Sequence, residues 1–416
     1  MPNEEKKERK EKKIDPEMQR AKRRIIIAVF FLIVGVGSLT YGLSKAIIKQ
    51  PGWREVTVEA KKQSCAGDFT FFYNIGYNGA TASVEYNELQ KLYTNAMVKS
   101  FRIFHNEKSF SGVHNVKYIN EHPGEEIKVD HVLYHAFEQV EKSGLRNLYL
   151  GSIHDCYDQI FFADTDEEAY SFDPFTNDEV KEKYQKLAEF ARDEKSVKLE
   201  LLGNDKVKLF VSDEYSAYAK SVNVHTYIDF NWMKNAFIVD YIADVMKKGN
   251  HLAGYIASAD GFTNNFDATN SDFEMTLYDR EGEQYFEAGK FHYKGARSIV
   301  YLYNYSMSAQ DKYRYYETKN TKEIRTSFLS MEDGICKSSK NDLIMTGKKS
   351  GCVDILLKMI PVFITDKFSK DDVHSLSKNG IFTLYYENHK IICNDSTVTI
   401  DDLFDRDGIT YEVERN

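Results

Sequence analysis

The stretch from Tyr227 to Thr263 constrains the fold most, because three kinds of local signal follow one another within it. Its pattern predicts a short strand, a helix and then a buried strand that ends in a polar turn. Lys247, Lys248 and Gly249 predict the end of the helix, with cations near the negative end of the helix dipole and glycine in a left-handed cap. The apolar face of this helix carries Trp232, Ala236, Val239 and Val245.

The turn SADGFT at the end of this unit is a candidate ligand site. A strand–helix–strand unit with a turn at its end commonly holds a phosphate-bearing ligand. An ordinary core unit without any ligand produces the same pattern, so this stretch alone leaves both interpretations open.

The N-terminal region predicts a membrane anchor. Residues 1–24 contain ten Lys or Arg and six Asp or Glu, and Ile25 to Ser44 is a run of twenty residues without a formal charge. A helix of that length crosses the hydrocarbon core of a bilayer. The basic residues before it predict a cytoplasmic N-terminus and an exported body, with a cleaved signal peptide or a buried soluble helix as alternatives. We expect a single-pass protein of the cell membrane with a cytoplasmic tail (1–24), an anchor (25–46), a linker (47–66) and an extracytoplasmic domain (67–416).

The body alternates between helical and strand patterns, which predicts an α+β fold of mixed sheets with packed helices. Residues 105–120 are predicted as an irregular loop and residues 146–162 as mixed strand and helix. Helical spacing of apolar residues predicts helices over 85–104, 129–144, 178–192 and 351–364. Alternation predicts strands or hairpins over 69–79, 196–211, 272–279, 298–306 and 380–395.

Charge, cysteine and histidine patterns narrow the function. The net charge of −9 argues against a nucleic-acid partner. The five cysteines include no CxxC pair; Cys336 and Cys352 pair only if the body is exported, which the sequence leaves open. His131 and His135 have a metal-compatible spacing on one helix, but no HExxH context accompanies them, and two solvated side chains explain them equally well.

An ordered set of weak motifs resembles the FAD:protein FMN transferase family. The set contains the ADGFT turn, Asp240 on the preceding helix, the run SMSAQDKYRYY, the loop SFLSMEDGIC and Asp354 at the start of a helix. The segment that ends at Asn120 resembles the S-x-x-S-x-x-N segment of that family. These segments occur in the family's order between about Phe69 and Asp395.

The resemblance implies a function, a cofactor and a partner. It implies a flavin-transferase fold and the transfer of FMN from FAD to a Thr or Ser of an extracytoplasmic redox protein, with release of AMP. Mg²⁺ bridges the pyrophosphate in such chemistry, which depends on positioning and charge neutralisation. Membrane lipid is the second expected partner, through the anchor. The implied site consists of Asp240 and Asp354 as catalytic residues, Asp354 also as metal ligand, and Asn120, Asp229, Ala259, Asp260, Gly261 and Gly334 as cofactor-binding residues.

The sequence departs from the family pattern at most of these motifs. The family has D-x-G-G-x-A-K-G-x-x-x-D; here Asp229 and Asp240 match, but Asn231 and Trp232 replace the glycine pair. The metal helix has a Thr in the family where this chain has Lys358, and an ammonium has no lone pair with which to coordinate a metal.

Two functions therefore remain open. The first is a membrane-anchored FMN transferase with degraded metal and phosphate motifs. The second is a catalytically inactive relative that binds a flavin or a partner protein as a structural subunit.

Overall fold

The computed structural model describes residues 50–59, 63–307, 311, 313–406 and 408–415. Within them the α-helices are α1 (Ala82–Ile103), α2 (Val116–Glu121), α3 (His131–Ser143), α4 (Gly151–Tyr157), α5 (Asp166–Ala169), α6 (Asp178–Arg192), α7 (Asp213–Ser221), α8 (Lys234–Lys248), α9 (Cys352–Phe363) and α10 (Lys370–Ser377). The strands of the N-terminal half are β1 (Gly52–Glu55), β2 (Phe69–Ile75), β3 (Glu126–Lys128), β4 (Val197–Gly203) and β5 (Lys206–Val211). Those of the C-terminal half are β6 (Gly254–Ser258), β7 (Phe262–Asn265), β8 (Asp272–Glu281), β9 (Gln284–Lys294), β10 (Arg297–Tyr303), β11 (Tyr315–Glu317), β12 (Ile324–Thr326), β13 (Asp342–Gly347), β14 (Ile381–Glu387), β15 (Lys390–Cys393), β16 (Thr399–Asp401), β17 (Asp405–Arg406), β18 (Ile409–Thr410) and β19 (Glu412–Arg415).

One nine-stranded sheet organises the body, in the order β1-β2-β6-β7-β10-β13-β14-β15-β19. Its neighbouring strands are antiparallel except for the last pair, β15 and β19. Two three-stranded sheets, β16-β9-β8 and β3-β5-β4, accompany it. Mixed sheets with packed helices confirm the predicted α+β class.

Both faces of the central sheet are covered. Helices α1, α8 and α9 contact each other or the sheet and contribute to one large apolar core. A second core on the other face includes Leu277 and Phe291 from the β8–β9 hairpin with Ile299 and Ile344 from the sheet. All seven residues of β10 are buried as a result, which is why the run from Ile299 to Tyr303 is apolar or aromatic throughout and does not alternate.

Most predicted elements are confirmed, including the 196–211 hairpin and the helices near 85–104, 178–192 and 351–364. Four local predictions are wrong. Residues 227–230 do not form a strand. Residues 146–162 contain the predicted helix, as α4 between two 3₁₀ turns, but not the predicted strand; and α2 begins inside the predicted loop 105–120 and ends at Glu121. Gly249 has φ −78°, and Asn250 at φ 61° instead takes the left-handed position after α8.

The predicted anchor, residues 25–46, lies outside the described residues. Within the residues that the structure describes, no helix is long and apolar enough to cross a bilayer. Strand β1 falls inside the segment predicted as a linker and pairs with β2. All five cysteines are free, so the pairing of Cys336 with Cys352 does not occur; both thiols are buried in separate surroundings.

Candidate functional site

The motif segments converge in space although they are far apart in the chain. The start of α8, the turn after β6, the segment before β11 and the loop after β12 together line a cavity of about 20 Å³. Its walls include Trp232, Asp260, Phe262, Leu302, Arg314, Tyr315, Ser327 and Phe328. We call this place the motif cleft.

Asp260 is the carboxylate of the motif cleft. Its Oδ2 accepts a hydrogen bond from Asn235 Nδ2 at 2.8 Å, which ties the turn to the first turn of α8. Its Oδ1 is enclosed and has no hydrogen-bond partner among the described residues. Burial raises the pKa of the Asp260 carboxyl above its usual value, and the guanidinium of Arg314 opposes that shift.

The neighbours of Asp260 hold the turn against the sheet. Gly261 has φ +97°, and a Cβ added there would overlap the carbonyl oxygen of Tyr301, so only glycine fits. The carbonyl oxygen of Ala259 accepts a hydrogen bond from the Tyr303 hydroxyl at 3.3 Å. Both residues that the resemblance assigned to cofactor binding therefore have a clear structural role.

Two aromatic side chains occupy the motif cleft. The rings of Trp232 and Phe328 meet edge to face, with centroids 5.0 Å apart. Phe328 also meets Phe363 at the end of α9, with centroids 5.1 Å apart. The remaining 20 Å³ holds about one water, whereas pockets for small-molecule ligands measure roughly 300–1,000 Å³. FAD does not fit this arrangement.

Gly334, from the loop after β12, faces away from the motif cleft. It has φ +71°, and an added Cβ would lie 2.6 Å from Ile153 Cδ1 and 2.9 Å from the carbonyl oxygen of Tyr184. The glycine is thus required by close packing on α4 and α6.

Asp240 joins α8 to the start of α9. Its Oδ1 accepts from the backbone N–H of Cys352 at 2.9 Å and from Asn264 Nδ2 at 2.8 Å, and its Oδ2 accepts from the N–H of Val353 at 2.9 Å. Burial raises the pKa of the Asp240 carboxyl, while these hydrogen bonds lower it. The carboxylate thus satisfies two of the free N–H groups that every helix start presents.

Asp354 and Lys358 form an i,i+4 ion pair of 2.8 Å on α9, with side chains 45% and 40% exposed. Neither side chain lines the motif cleft. Among the described residues, no group of three His, Cys, Asp or Glu side chains is arranged to hold a metal ion. With an ammonium on its carboxylate and no further hard ligands beside it, Asp354 does not fit the role of a Mg²⁺ ligand.

Replacing Asp354 by alanine should therefore lower the free energy of unfolding by no more than about 0.5 kcal/mol, because exposed i,i+4 pairs contribute only a few tenths. Thermal melts of both proteins, with and without Mg²⁺, measure this. Stabilisation by Mg²⁺ in the unaltered protein but not in Asp354→Ala would contradict the assignment.

Asn120 and Asp229 both support the chain just before α8. The Asn120 amide makes four hydrogen bonds: it accepts from the N–H groups of Tyr227 and Ile228 and donates to the carbonyls of Ile228 and Val116. Asp229 accepts from the N–H of Asn231 at 3.1 Å and from Asn106 Nδ2 at 2.8 Å. Burial raises the pKa of the Asp229 carboxyl.

Several residues that the motifs did not single out complete this region. Asn235 and Asn264 donate to Asp260 and Asp240, and Phe328 fills the motif cleft. Arg314, which lies in the Tyr- and Arg-rich run, makes a 2.7 Å ion pair with Asp311. Arg314 and Phe328 lie inside the motif segments SMSAQDKYRYY and SFLSMEDGIC, whereas Asn235 and Asn264 carried no sequence signal.

Comparison with solved structures decides the fold. The structure matches the ApbE protein of Thermotoga maritima with a TM-score of 0.50 and 11% sequence identity, over 85% of this chain and 97% of that chain. The chain has an ApbE-type fold. The flavin transferase ApbE from Vibrio cholerae matches with a TM-score of 0.48 and 11% identity, over the same shares of the two chains. No protein-family model and no curated protein sequence matches the chain.

The ApbE-type fold confirms the resemblance drawn from the motifs at the level of architecture. In this chain the motif segments meet around the start of α8 and the turn after β6. The side chains there are bonded to one another or packed, and they leave no space for a dinucleotide.

Proposed function

We propose that this chain is a catalytically inactive relative of the flavin transferases that uses the ApbE-type fold as a binding subunit. The observation that carries the proposal is the motif cleft, where Trp232 and Phe328 leave about 20 Å³. The ion pair of Asp354 with Lys358 supports the proposal, because it occupies the carboxylate that the resemblance assigns to a metal ion.

In this proposal the remaining motif residues stabilise the fold. Asp240 fastens α9 to α8, Asn120 fastens the chain before α8, and Gly261 permits contact between a turn and the sheet. A fold stabilised in this way can bind a partner protein without catalysing a reaction. The partner that we propose is an extracytoplasmic redox protein, and residues 25–46, as a membrane anchor, would hold the chain near it.

An active FMN transferase is the second candidate, and one observation favours it. The enclosed Oδ1 of Asp260 lacks a hydrogen-bond partner among the described residues, although Arg314 lines the same cavity. Buried polar atoms normally have hydrogen-bond partners, so a ligand group that donates to this oxygen would remove the free-energy cost of leaving it unpaired. For this candidate, Trp232 and Phe328 would have to move apart before FAD enters.

A transfer assay separates the two candidates. The full chain is incubated with FAD, Mg²⁺ and a peptide containing the acceptor motif D-G-x-T-G-A-T, and mass spectrometry measures FMN addition while chromatography measures AMP. We expect neither product, because the motif cleft does not admit FAD.

An ApbE enzyme of known activity serves as the positive control for the peptide. Transfer by the unaltered chain that depends on Mg²⁺ and is lost in Asp354→Ala would overturn the proposal in favour of the active transferase.

A further inference from the structure

A second, larger cavity opens at the other end of α8. Its volume is about 670 Å³, and it lies between α3, the face of α8 that runs from Phe237 to Lys248, and the loop 348–351. Its far end at Lys247 is about 18 Å along α8 from Asn235 at the motif cleft, at 1.5 Å per residue. None of the residues that line the motif cleft lines this cavity. We call it the lysine cavity.

Four lysines surround the lysine cavity: Lys247 and Lys248 at the end of α8, and Lys348 and Lys349 before α9. All four are exposed, and none of them forms an ion pair with a carboxylate in the part of the chain that the structure describes. The lining contains the carboxylates of Asp240 and Asp244 as well, but the oxygens of Asp240 are already bonded to α9 and Asn264. A chain with net charge −9 thus concentrates unpaired positive charge at one opening.

The two lysine pairs differ in their relation to the neighbouring helices. Lys247 and Lys248 lie at a helix C-terminus, where cations are favourable, so they need no ligand to explain them. Lys348 and Lys349 lie before the N-cap residue of α9, Gly351, and the first N–H groups of that helix are already bonded to Asp240. An anion between the two lysine pairs would offset the mutual repulsion of the four ammonium groups.

The lining of the lysine cavity combines apolar and polar side chains. Its aromatic members are Phe104, Phe237, Phe266 and Tyr241, beside aliphatic side chains of α3 and polar side chains such as Asn264, Asn265 and Ser298. Cavities of this size, with apolar walls and a few converging polar groups, are the usual form of small-molecule sites.

The buried guanidinium of Arg297 supports the lining from behind. Arg297 is 1% exposed; it forms an ion pair with Asp395 and donates to Thr346 and Thr397. Its Nε is enclosed and has no acceptor among the described residues, so a ligand in the cavity does not reach this atom.

We propose that the lysine cavity binds a small aromatic phosphate. The flat apolar group packs against the aromatic side chains of the lining, and the phosphate lies near Lys348 and Lys248. This site is separate from the motif cleft, and the proposal goes beyond the inactive-transferase proposal because it assigns a ligand that involves no FMN transfer.

Calorimetric titration of the full chain with naphthyl phosphate tests the site. We expect saturable binding that weakens at least about tenfold in the double variant Lys348→Glu/Lys349→Glu and weakens at high salt. Inorganic phosphate and naphthol, each carrying half of the proposed chemistry, should bind more weakly than the combined ligand.

Two further variants keep the test decisive. Lys91→Glu/Lys378→Glu changes the charge by the same amount at exposed lysines outside the cavity and should bind as the unaltered chain does. Gln139→Trp fills the cavity without changing charge and should abolish binding while the protein still melts cooperatively. The proposal fails if naphthyl phosphate produces no saturable heat, or if the Lys348→Glu/Lys349→Glu protein binds it as tightly as the control. Neither result bears on FMN transfer, which the peptide assay measures separately.

Discussion

Replacing Asn120 by alanine should destabilise the protein by about 3 kcal/mol or more, although the resemblance assigns this residue to cofactor binding. Its amide oxygen accepts from two backbone N–H groups at 2.9 and 3.0 Å, and its Nδ2 donates to two carbonyls at 2.9 and 3.1 Å. The residue is 6% exposed, so alanine would leave buried donors unsatisfied at roughly 1–3 kcal/mol each. Urea denaturation of both proteins measures the difference.

The exposed neighbour Glu121 provides the matched control for Asn120. Glu121→Ala loses only an i,i+4 ion pair with Lys117 and should change the free energy of unfolding by less than about 0.5 kcal/mol. A change in Asn120→Ala as small as that in the control would mean that the amide does not fasten the chain before α8.

Replacing Asp240 by alanine should cost about 2–4 kcal/mol, because two buried backbone donors at the start of α9 and the Asn264 amide lose their acceptor. Asp240→Asn should fall between alanine and the unaltered chain, since an amide oxygen still accepts but the negative charge at the helix start is gone. Denaturation midpoints at constant m-value measure both.

Asp244, one turn further along α8 and exposed, is the control for Asp240. Asp244→Ala should stay within about 0.5 kcal/mol of the unaltered chain. If Asp240→Ala were equally mild, the carboxylate would be free for chemistry, and the structural role assigned to it would be wrong.

The hydrogen bonds of Asn120 explain why the local pattern at residues 227–230 predicted a strand that does not form. The apolar run there predicts a strand, but the side chain of Asn120 takes the N–H groups of Tyr227 and Ile228, and the carbonyl of Leu148 takes the N–H of Asp229. These three consecutive N–H groups are therefore not available to a neighbouring strand. The partner that decides this conformation is 107 residues away from Tyr227 in the chain, so periodicity within the run carries no trace of it.

Elements whose stability is local were predictable. The 196–211 hairpin combines alternating apolar residues with a turn whose Asn204 and Asp205 adopt positive φ, and the α9 pattern has apolar residues at helical spacing. The motif residues could also be placed along the chain. Their contacts could not be predicted, because Trp232 and Phe328 are neighbours only in the folded chain. The lysine cavity likewise combines residues from six separate segments.

The emission of Trp232 tests most directly whether the motif cleft is closed to FAD. The chain has two tryptophans, so Trp53→Phe leaves Trp232, which packs on Phe328, as the single reporter. The titration is made with FAD and Mg²⁺ in a chain that also carries Lys348→Glu and Lys349→Glu, which removes the lysine cavity as a competing site. We predict an emission spectrum that FAD leaves unchanged after correction for absorption. Saturable, Mg²⁺-dependent quenching of Trp232 emission by FAD would contradict the account. It would favour the second candidate function, an active FMN transferase.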